Sequence, residues 1–555
     1  MERFDLLAEG NGNVPQLRRL ILALAMRGRL IDESSQEPSS AETLARIRAR
    51  REALVKEGKL AKRKALRPVE KKDIPPDCPV NCAFEWLESI AVLRKGLTGI
   101  QTATPGAYPL VVTSEARSSS DHYDFDGAAA IIPLVSSTGH GDASLKRLHY
   151  QQGRFALGSI LCAAFSIADD LLSARFIYEY LTAFKDDLLV SKMVGTANVS
   201  LSVGRIGEVP VPIVAPSTQR KVGELMVLCD QLEAAQAERE SRRSRLVRAS
   251  LRRLNHSTAS DVSTNREHVR FHLRHLSHLT ALPEHIQGLR RAILVLALRG
   301  DLVSQDPKEQ PAASLLAQIS KERAILFERS QPNREEATAQ KRKQERQLLP
   351  DGLPRLPVGW QWATLMQCCA FVVDCHNKTA PYSSFGVPLV RTTNVRNGTL
   401  QLAETKFVDE RTYARWSARC EPMPGDIVIT REAPMGEVGV VPPGVRLCLG
   451  QRMMLARLVP DTIEPKFMLY SLRDPDLMDR IQDKPVGATV QHIRVGGVET
   501  LLVPVPPIGE QRRIVSKLDD LMDLCNRLDG QLAIRQAESR RLLAAVLQQA
   551  LASAA

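Results

Sequence analysis

VPVPPIGEQRRIVSKLDDLMDLCNRLDGQLAIRQAESRRLLAAVLQQAL, Val503 to Leu551, decides how the rest of the chain is read. Each proline fixes φ and pushes the residue before it toward extended geometry, so the stretch opens as an arm that aims a helix. In that helix Ile514, Leu518, Leu521, Cys525, Leu528 and Leu532 recur at alternating spacings of four and three, the seam of a helix lying along another helix. The stretch has a twin. VPVPIVAPSTQRKVGELMVLCDQLEAAQAERESRRSRLVRASL, Val209 to Leu251, repeats the Val-Pro arm, the Gln-Arg pair and a seam of Val222, Leu225, Cys229 and Leu232. Arg, Glu and Gln interrupt both seams before apolar residues return at Leu246 and at Leu542 and Val546. About forty helical residues at ~1.5 Å each span ~60 Å. Two seams of this kind, each lacking a partner, are expected to pair with each other, antiparallel.

Working outward, a head precedes each tail. LRRLILALAMRGRLI, Leu17 to Ile31, aligns without gaps on LRRAILVLALRGDLV, Leu289 to Val303, with ten of fifteen positions identical, which shared helical composition alone does not explain. Leu17, Leu20, Ile21, Leu24 and Ala25 form an apolar stripe ending at Gly28, and a charged, helix-like stretch follows from Glu42 to Lys72. Between head and tail the repeat is fainter: PLVVTSEAR (109–117) answers PLVRTTNVR (388–396), FIYEYL (176–181) answers FMLYSL (467–472), and KMVGTANVSLSVG (192–204) answers KPVGATVQHIRVG (484–496). Each interior follows a proline-rich linker, Pro75 to Pro79 and Pro350 to Pro357, and an aromatic near Trp86 or Trp360 and Trp362. Short strand-like runs dominate both: Leu110 to Thr113, Ile131 to Val135, Val387 to Thr392, Ile427 to Thr430, Val438 to Val441 and Met453 to Leu458, with a hairpin signal at Asn397-Gly398. Helical pieces at Ala174 to Phe184 and Pro465 to Leu472 interrupt them.

The reading is α+β: two compact domains mounted on helices, with the interiors free to diverge and the frame kept. Its boundaries are a basic helical region over 1–74, a first domain over 75–214, a first spacer helix over 215–256, a central helical region over 257–346 repeating the first, a second domain over 347–507, and a second spacer helix over 508–555. At 555 residues the chain exceeds one core. Lys+Arg number 75 against 63 Asp+Glu, a net charge of +12, which suits a polyanionic partner. Neither a secretory leader nor an apolar run long enough for a membrane is seen, so a cytoplasmic protein with no membrane partner is expected. Ten scattered cysteines read as reduced packing residues. Cys368, Cys369 and Cys375 with His376, and Cys78 with Cys82, lack a second ligand pair at zinc spacing, and His268, His272, His275, His278 and His285 read as a helix face; no metal is expected.

With these parts in order the chain resembles the specificity subunit of Type I restriction-modification enzymes. The residues that carry the resemblance are PLVRTTNVRNG (388–398), GDIVITREAPMGEVGVV (425–441), VGATVQHI (486–493), the junction VPVPPIGEQRRIV (503–515) and the LRRAILVLALRGDLV head. It implies two α/β target-recognition domains separated by long paired coiled-coil helices in a pseudo-two-fold repeat, each domain reading half of a bipartite duplex DNA site. It also implies helices that dock two methyltransferase subunits and restriction (motor-nuclease) subunits. The first copy departs from the pattern: VAPSTQRKV lacks the Glu-Gln pair, GSILCAAF (158–165) replaces GDIVITRE, and Gln219 to Cys229 is a helical turn shorter than Gln511 to Cys525.

A duplex reader needs cations for phosphates and forked or amide side chains for base edges. In the second domain the DNA-binding candidates are Arg391, Thr392, Thr393, Asn394, Arg396, Arg431, Gln451, Arg452, Gln491, His492 and Arg494, with a plain polar sheet face as the competing account. In the first domain Thr113, Ser114, Arg117, Lys146, Arg147, Lys192 and Asn198 are the weaker equivalents. The basic runs Arg46 to Lys72 and Arg239 to Arg253 are open to three accounts, nonspecific DNA contact, a solvated helix face and a surface that meets partner subunits. No catalytic set stands out. The chain has neither the Asn/Asp-Pro-Pro-aromatic tetrapeptide of amino-methyltransferases nor a phosphate loop. It is expected to be no enzyme and to bind no cofactor, with S-adenosylmethionine, ATP and Mg on partner subunits. Two alternatives stand beside this: a stand-alone restriction nuclease built on Pro460, Asp461, Glu464 and Lys466, and a coiled-coil scaffold without base reading.

Overall fold

The computed structural model describes residues 13–31, 37–62, 66–75, 78, 82–138, 141–196, 199–256, 262–477 and 491–552. They group into two units, Met1–Ser241 with Ile534–Ala555, and Arg242–Ala533.

In the first unit helix α1 (Val14–Met26) has a proline in its first turn and ends where Gly28 takes φ 67°, with the Gly28 N–H donating to Ala25 O at 3.1 Å and the Arg29 N–H to Leu24 O at 3.0 Å. Helix α2 (Ser40–Lys56) starts on a capping box between Ser39 and Glu42. It stops well short of the expected Lys72, because Gly58 turns the chain at φ 71° and residues 66–70 run without helix. Strands β1 (Ala83–Trp86), β2 (Ala91–Lys95), β3 (Tyr108–Val111), β4 (Ser118–Ser120), β5 (Phe125–Asp126), β6 (Ala129–Pro133), β7 (His149–Gln151), β8 (Arg154–Leu157) and β9 (Leu161–Ser166) follow, then helix α3 (Ala174–Ala183), β10 (Pro210–Ile213) and helix α4 (Pro216–His256), whose residues from Arg242 on belong to the second unit. They form a four-stranded sheet β2-β9-β6-β7, a second sheet β4-β3-β8-β5, and the ribbon β1-β10.

The second unit repeats this plan. Helices α5 (Val262–Arg274), α6 (Pro283–Arg299) and α7 (Ala312–Glu328) precede strands β11 (Gln361–Thr364), β12 (Cys369–Asp374), β13 (Val387–Val390), β14 (Val395–Arg396), β15 (Thr399–Leu400), β16 (Lys406–Val408), β17 (Ile427–Thr430), β18 (Val438–Val440), β19 (Cys448–Leu449) and β20 (Met453–Leu458). Helix α8 (Pro465–Ser471), β21 (Leu502–Val505) and helix α9 (Ile508–Ala552) complete it, α9 from Ile534 on belonging to the first unit. The sheet β12-β20-β17-β18 matches β2-β9-β6-β7 strand for strand, and β13 lies between an antiparallel β16 and a parallel β19 as β3 lies between β4 and β8. The Asn397-Gly398 hairpin forms as expected, both residues at positive φ (53° and 85°) between β14 and β15.

The Val-Pro arms pair with the strand that opens each domain, Pro210 opposite Trp86 and Pro504 opposite Trp362. The prolines cost little there, because each ribbon has two strands and one edge of each needs no donor. The glutamine of each Gln-Arg pair then locks the long helix to its domain. Gln219 accepts from Ser173 N–H at 2.9 Å and donates to Leu171 O at 2.7 Å and Val214 O at 2.8 Å. Gln511, fully buried, accepts from Glu464 N–H at 2.9 Å and donates to Pro506 O at 2.9 Å. The residue before it differs: Glu510 accepts from Trp360 Nε1 at 3.0 Å, whereas Thr218 is buried with no partner for its hydroxyl.

Each seam is occupied by the head helix of its own repeat. Val222, Met226 and Cys229 of α4 share a core with Ile21, Leu22 and Ala25 of α1, and Ile514, Leu518 and Cys525 of α9 share one with Ile286, Ile293 and Ala297 of α6. An arginine clip repeats beside each seam: Arg18 reaches Asp230 at 2.5 Å and Glu233 at 3.3 Å, and Arg290 reaches Asn526 at 2.5 Å and Asp529 at 2.8 Å. The heads were therefore kept alongside the tails because they are one packing unit. Burying a Leu or Ile of this kind is worth ~1.5–3 kcal/mol.

Two of the grouped histidines and most of the cysteines are buried packing residues. Val247, Leu251 and Leu254, past the interruption in α4, pack on Leu279 and Ala292. Buried His272 and His285 stand 3.0 Å from the hydroxyls of Ser250 and Ser244 across that contact. Burial pushes the Cys368 thiol up to about 12 and Cys369 well above its usual range, and His376 stacks on Trp416 with ring centroids 4.3 Å apart. Among the described residues no three His, Cys, Asp or Glu side chains converge as a metal site, and no helix is long and apolar enough to cross a membrane.

Candidate nucleic-acid interface

Four backbone segments of the second domain meet at one end of its sheets. The strand β13 ends at Val390, whose carbonyl accepts from Gly450 N–H at 2.8 Å, so residues 391–393 lie beside 450–452. Arg431 N–H donates to Arg452 O at 2.9 Å, and Ile493 N–H donates to Arg431 O at 2.9 Å, which draws in 431–434 and 491–494. Thr392 Oγ1 donates to Ala433 O at 3.2 Å. The result is a cleft of ≈ 280 Å³ lined by Thr379, Tyr382, Arg391, Thr392, Thr393, Glu432, Gln451 and Arg452 among others. Ala433 at φ 44° and Arg452 at φ 65° hold left-handed backbone, a conformation costing ~1–3 kcal/mol that structure tolerates where a loop must present its atoms in one way.

The sequence candidates divide on this geometry. Arg391, Thr392, Thr393, Gln451 and Arg452 line the cleft, and Thr393, Gln451 and Arg452 are exposed. Arg452 Nε lies 3.1 Å from Glu432, so one cation of the cleft is partly neutralised from within. Gln491 is exposed and His492 bridges to Glu432, beside the cleft; Arg494 is exposed and precedes the short helix Val495–Glu499. Three candidates face inward instead. Asn394 is buried and its Oδ1 accepts from Arg391 N–H at 3.0 Å. The Arg396 guanidinium donates to Thr392 O at 2.9 Å and Val395 O at 2.6 Å. Arg431 is 7% exposed, lies 3.1 Å from Asp374 as an ion pair and donates to Ile493 O at 3.3 Å, so it is buried beneath the loop and not in the cleft lining. Burial holds the Asp374 carboxyl above its usual range even with Arg431 beside it. Residues 478–490, including most of VGATVQHI, lie outside the described residues.

Tyr382 and Glu432 were missed. Tyr382 is 51% exposed at the mouth, and nearby Phe385 is 80% exposed. An apolar ring between turn residues in PYSSFG was the available signal.

The first domain has the same backbone connections with other side chains. Gly158 N–H donates to Val111 O, Leu134 N–H to Ile160 O and Leu201 N–H to Leu134 O, as Gly450, Arg431 and Ile493 do in the second. That register puts Val112, Leu134, Ser159 and Ile160 where the second domain has Arg391, Arg431, Gln451 and Arg452. Three of the seven sequence candidates there are tied down. Arg117 donates to Gln151 Oε1 at 3.1 Å and Tyr150 O at 3.2 Å and faces His149 Nδ1 at 3.0 Å, and Arg147 pairs with Glu115 at 2.6 Å. Burial, with Arg117 and Arg147 close by, pulls the His149 pKa down to about 4. Ser114 Oγ donates to Ala116 O at 2.9 Å, Thr113 and Lys146 are exposed, the Lys192 carbonyl accepts from Arg205, and Asn198 lies outside the described residues.

The proposed nuclease cluster disperses. Asp461 sits in a turn at φ 59°, Glu464 precedes α8 with its N–H held by Gln511, and Lys466 pairs with Asp519 of α9 at 2.7 Å.

Comparison with known proteins adds to this geometry. Residues 419–535 match the family described as the Type I restriction modification DNA specificity domain. The Type I restriction enzyme EcoAI specificity subunit of Escherichia coli is 25% identical over 545 residues, 93% of this chain and 90% of that protein. The EcoEI specificity subunit of Escherichia coli is 25% identical over 575 residues, 97% of this chain and 94% of that one. A chain from a solved structure of a type I R-M system aligns over 85% of this chain and 98% of its own length at 16% identity and a TM-score of 0.45.

Proposed function

This chain is a relative, over nearly its whole length, of the specificity subunits of Type I restriction enzymes, and we propose that it is the DNA sequence-specificity subunit of such a system. Its two target-recognition domains read the halves of a bipartite duplex site, and its helices dock methyltransferase subunits and restriction subunits. The single observation that carries base reading is the second domain's cleft, where Arg391, Thr392, Thr393, Gln451 and Arg452 from two separate loops face one space. Arginine forks match guanine O6 and N7, and a glutamine amide matches adenine N6 and N7, so this set suits a major-groove edge. Tyr382 supplies apolar surface for a thymine methyl or a sugar.

The long helices, 41 and 45 residues, are read as spacers that hold the two domains apart in a pseudo-two-fold, coiled-coil frame. The chain is read as non-catalytic and cytoplasmic, with S-adenosylmethionine, ATP and Mg on partner chains. The dispersal of Asp461, Glu464 and Lys466 into a turn and two helix contacts speaks against the nuclease alternative.

The test is DNA binding by the full chain with its methyltransferase partner on a target duplex, mapped from methylated adenines in the host, against a scrambled duplex of equal length. The expected result is preference for the target and, after exchange of residues 347–507 for those of a relative, change of one half-site only. Equal binding to both duplexes refutes base reading and leaves the scaffold alternative; magnesium-dependent cleavage by the chain alone, abolished by Asp461→Ala, refutes the non-catalytic reading.

A further inference from the structure

Seven of the fifteen residues from Arg239 to Arg253 are arginine. The fold sorts this basic run from the earlier one. In the earlier run Arg48 pairs with Glu85, Arg50 with Asp170 at 2.7 Å, Arg51 donates to Glu88 O at 2.8 Å and Arg67 pairs with Asp73 at 2.6 Å, so its cations clamp their own domain. In α4 the burial of Val247, Leu251 and Leu254 against Leu279 and Ala292 fixes which way the helix faces. At 100° per residue Arg248 and Arg252 then lie one turn apart on one outward flank and Arg253 on the other. All three are exposed, and among the described residues no carboxylate pairs with them. Arg248 and Arg252, at i and i+4, repel each other weakly in an isolated helix, a strain that an anion facing both would relieve.

The arginine clips fix the alignment of the two long helices, since Asn526 and Asp529 stand in for Asp230 and Glu233 at one separation (526 − 230 = 529 − 233 = 296). On that alignment Arg248, Arg252 and Arg253 correspond to Ala544, Gln548 and Gln549. Seams, clips and glutamine locks occur twice, as a surface gripped by two copies of one partner must, whereas this arginine group occurs once. A partner protein that docks on the duplicated frame is therefore the poorer fit. Duplex DNA fits better: arginines ~6 Å apart along a helix span about two phosphates of one strand at ~3.4 Å each.

We propose that Arg248, Arg252 and Arg253, spread over the outward face of this helix, make sequence-independent contacts to the phosphates of duplex DNA. The proposal rests on the recognition reading above, and its test separates the two. Full-length R248A/R252A/R253A, whose alanines favour helix, is compared with wild type, each with the methyltransferase subunits, on the target and scrambled duplexes across a KCl series. With ~0.9 of slope in log K against log[salt] per phosphate contact, the variant is expected to lose about two to three units of slope on both duplexes, with the ratio between duplexes unchanged. A wild-type slope in the variant overturns the phosphate contacts, and so does weakened binding of methyltransferase subunits at an unchanged slope, which makes the surface a docking site. Failure of wild type to prefer the target refutes base reading alone and leaves the slope comparison intact.

Discussion

Replacing Gln511 or Gln219 by methionine keeps the length and volume of the side chain and removes its hydrogen bonds. In the second unit this strands Glu464 N–H and Pro506 O, each bonded to Gln511 at 2.9 Å in a site with no solvent exposure. In the first it strands three backbone groups, Ser173 N–H, Leu171 O and Val214 O, and the Ser173 hydroxyl loses its 3.1 Å contact. An unsatisfied buried group costs ~1–3 kcal/mol, so Gln511→Met, which strands two, is expected to lose about 2–6 kcal/mol and Gln219→Met, which strands three, about 3–9 kcal/mol. The loss is local, since both bonds pin the start of a long helix to the loop before a short one. Hydrogen–deuterium exchange therefore reads it best: the amides of Ser173 or Glu464 and the first turns of α3 or α8 exchange faster in the matching variant, while the opposite unit is unchanged. Urea melts give the ranking. If Gln511→Met destabilises as much as Gln219→Met, or neither amide speeds up, the reasoning that these glutamines hold the junctions by counted hydrogen bonds is wrong.

Arg391→Ala and Arg452→Ala are each expected to reduce discrimination between target and scrambled duplex by ~1–3 kcal/mol, as competition binding would show, whereas Asn394→Ala should lower thermal stability along with binding because that side chain shapes the loop. Leu518→Ala, at a fully buried seam position, should cost ~2–5 kcal/mol in denaturant melts. His149, held to about 4 against an ordinary 6.5, takes up its proton more readily in the unfolded chain, so the first unit should lose stability as pH falls from about 6.5 to about 4. His149→Gln should flatten that dependence in melts at pH 7.5 and 5.0. Inserting one helical turn between Glu233 and Ser244, ~6 Å, is expected to lengthen the spacer of the methylated site by about one or two base pairs; an unchanged spacer removes the ruler role from the helices.

Local sequence determined much of this protein. Ile427–Thr430 and Met453–Leu458 are strands over the expected residues, the Asn397-Gly398 turn forms, and both long helices start where the prolines stop, because φ restriction and hydrophobic period act within a few residues. The duplication was legible because ten identities in fifteen survive in the heads. What the sequence could not supply was partnership. A seam reports that a helix is covered, and only the fold shows that α1 and α6 cover it. A polar residue reports hydrogen-bonding capacity, and only the register shows that Asn394, Arg396 and Arg431 spend it on neighbouring backbone while Arg391, Gln451 and Arg452 face a cleft. The cleft and the Arg431–Asp374 pair depend on residues about forty to sixty positions apart meeting through the sheets, whereas Asn394 and Arg396 bond to backbone three and four residues away; in both cases side-chain direction is fixed by what the residue meets in the fold.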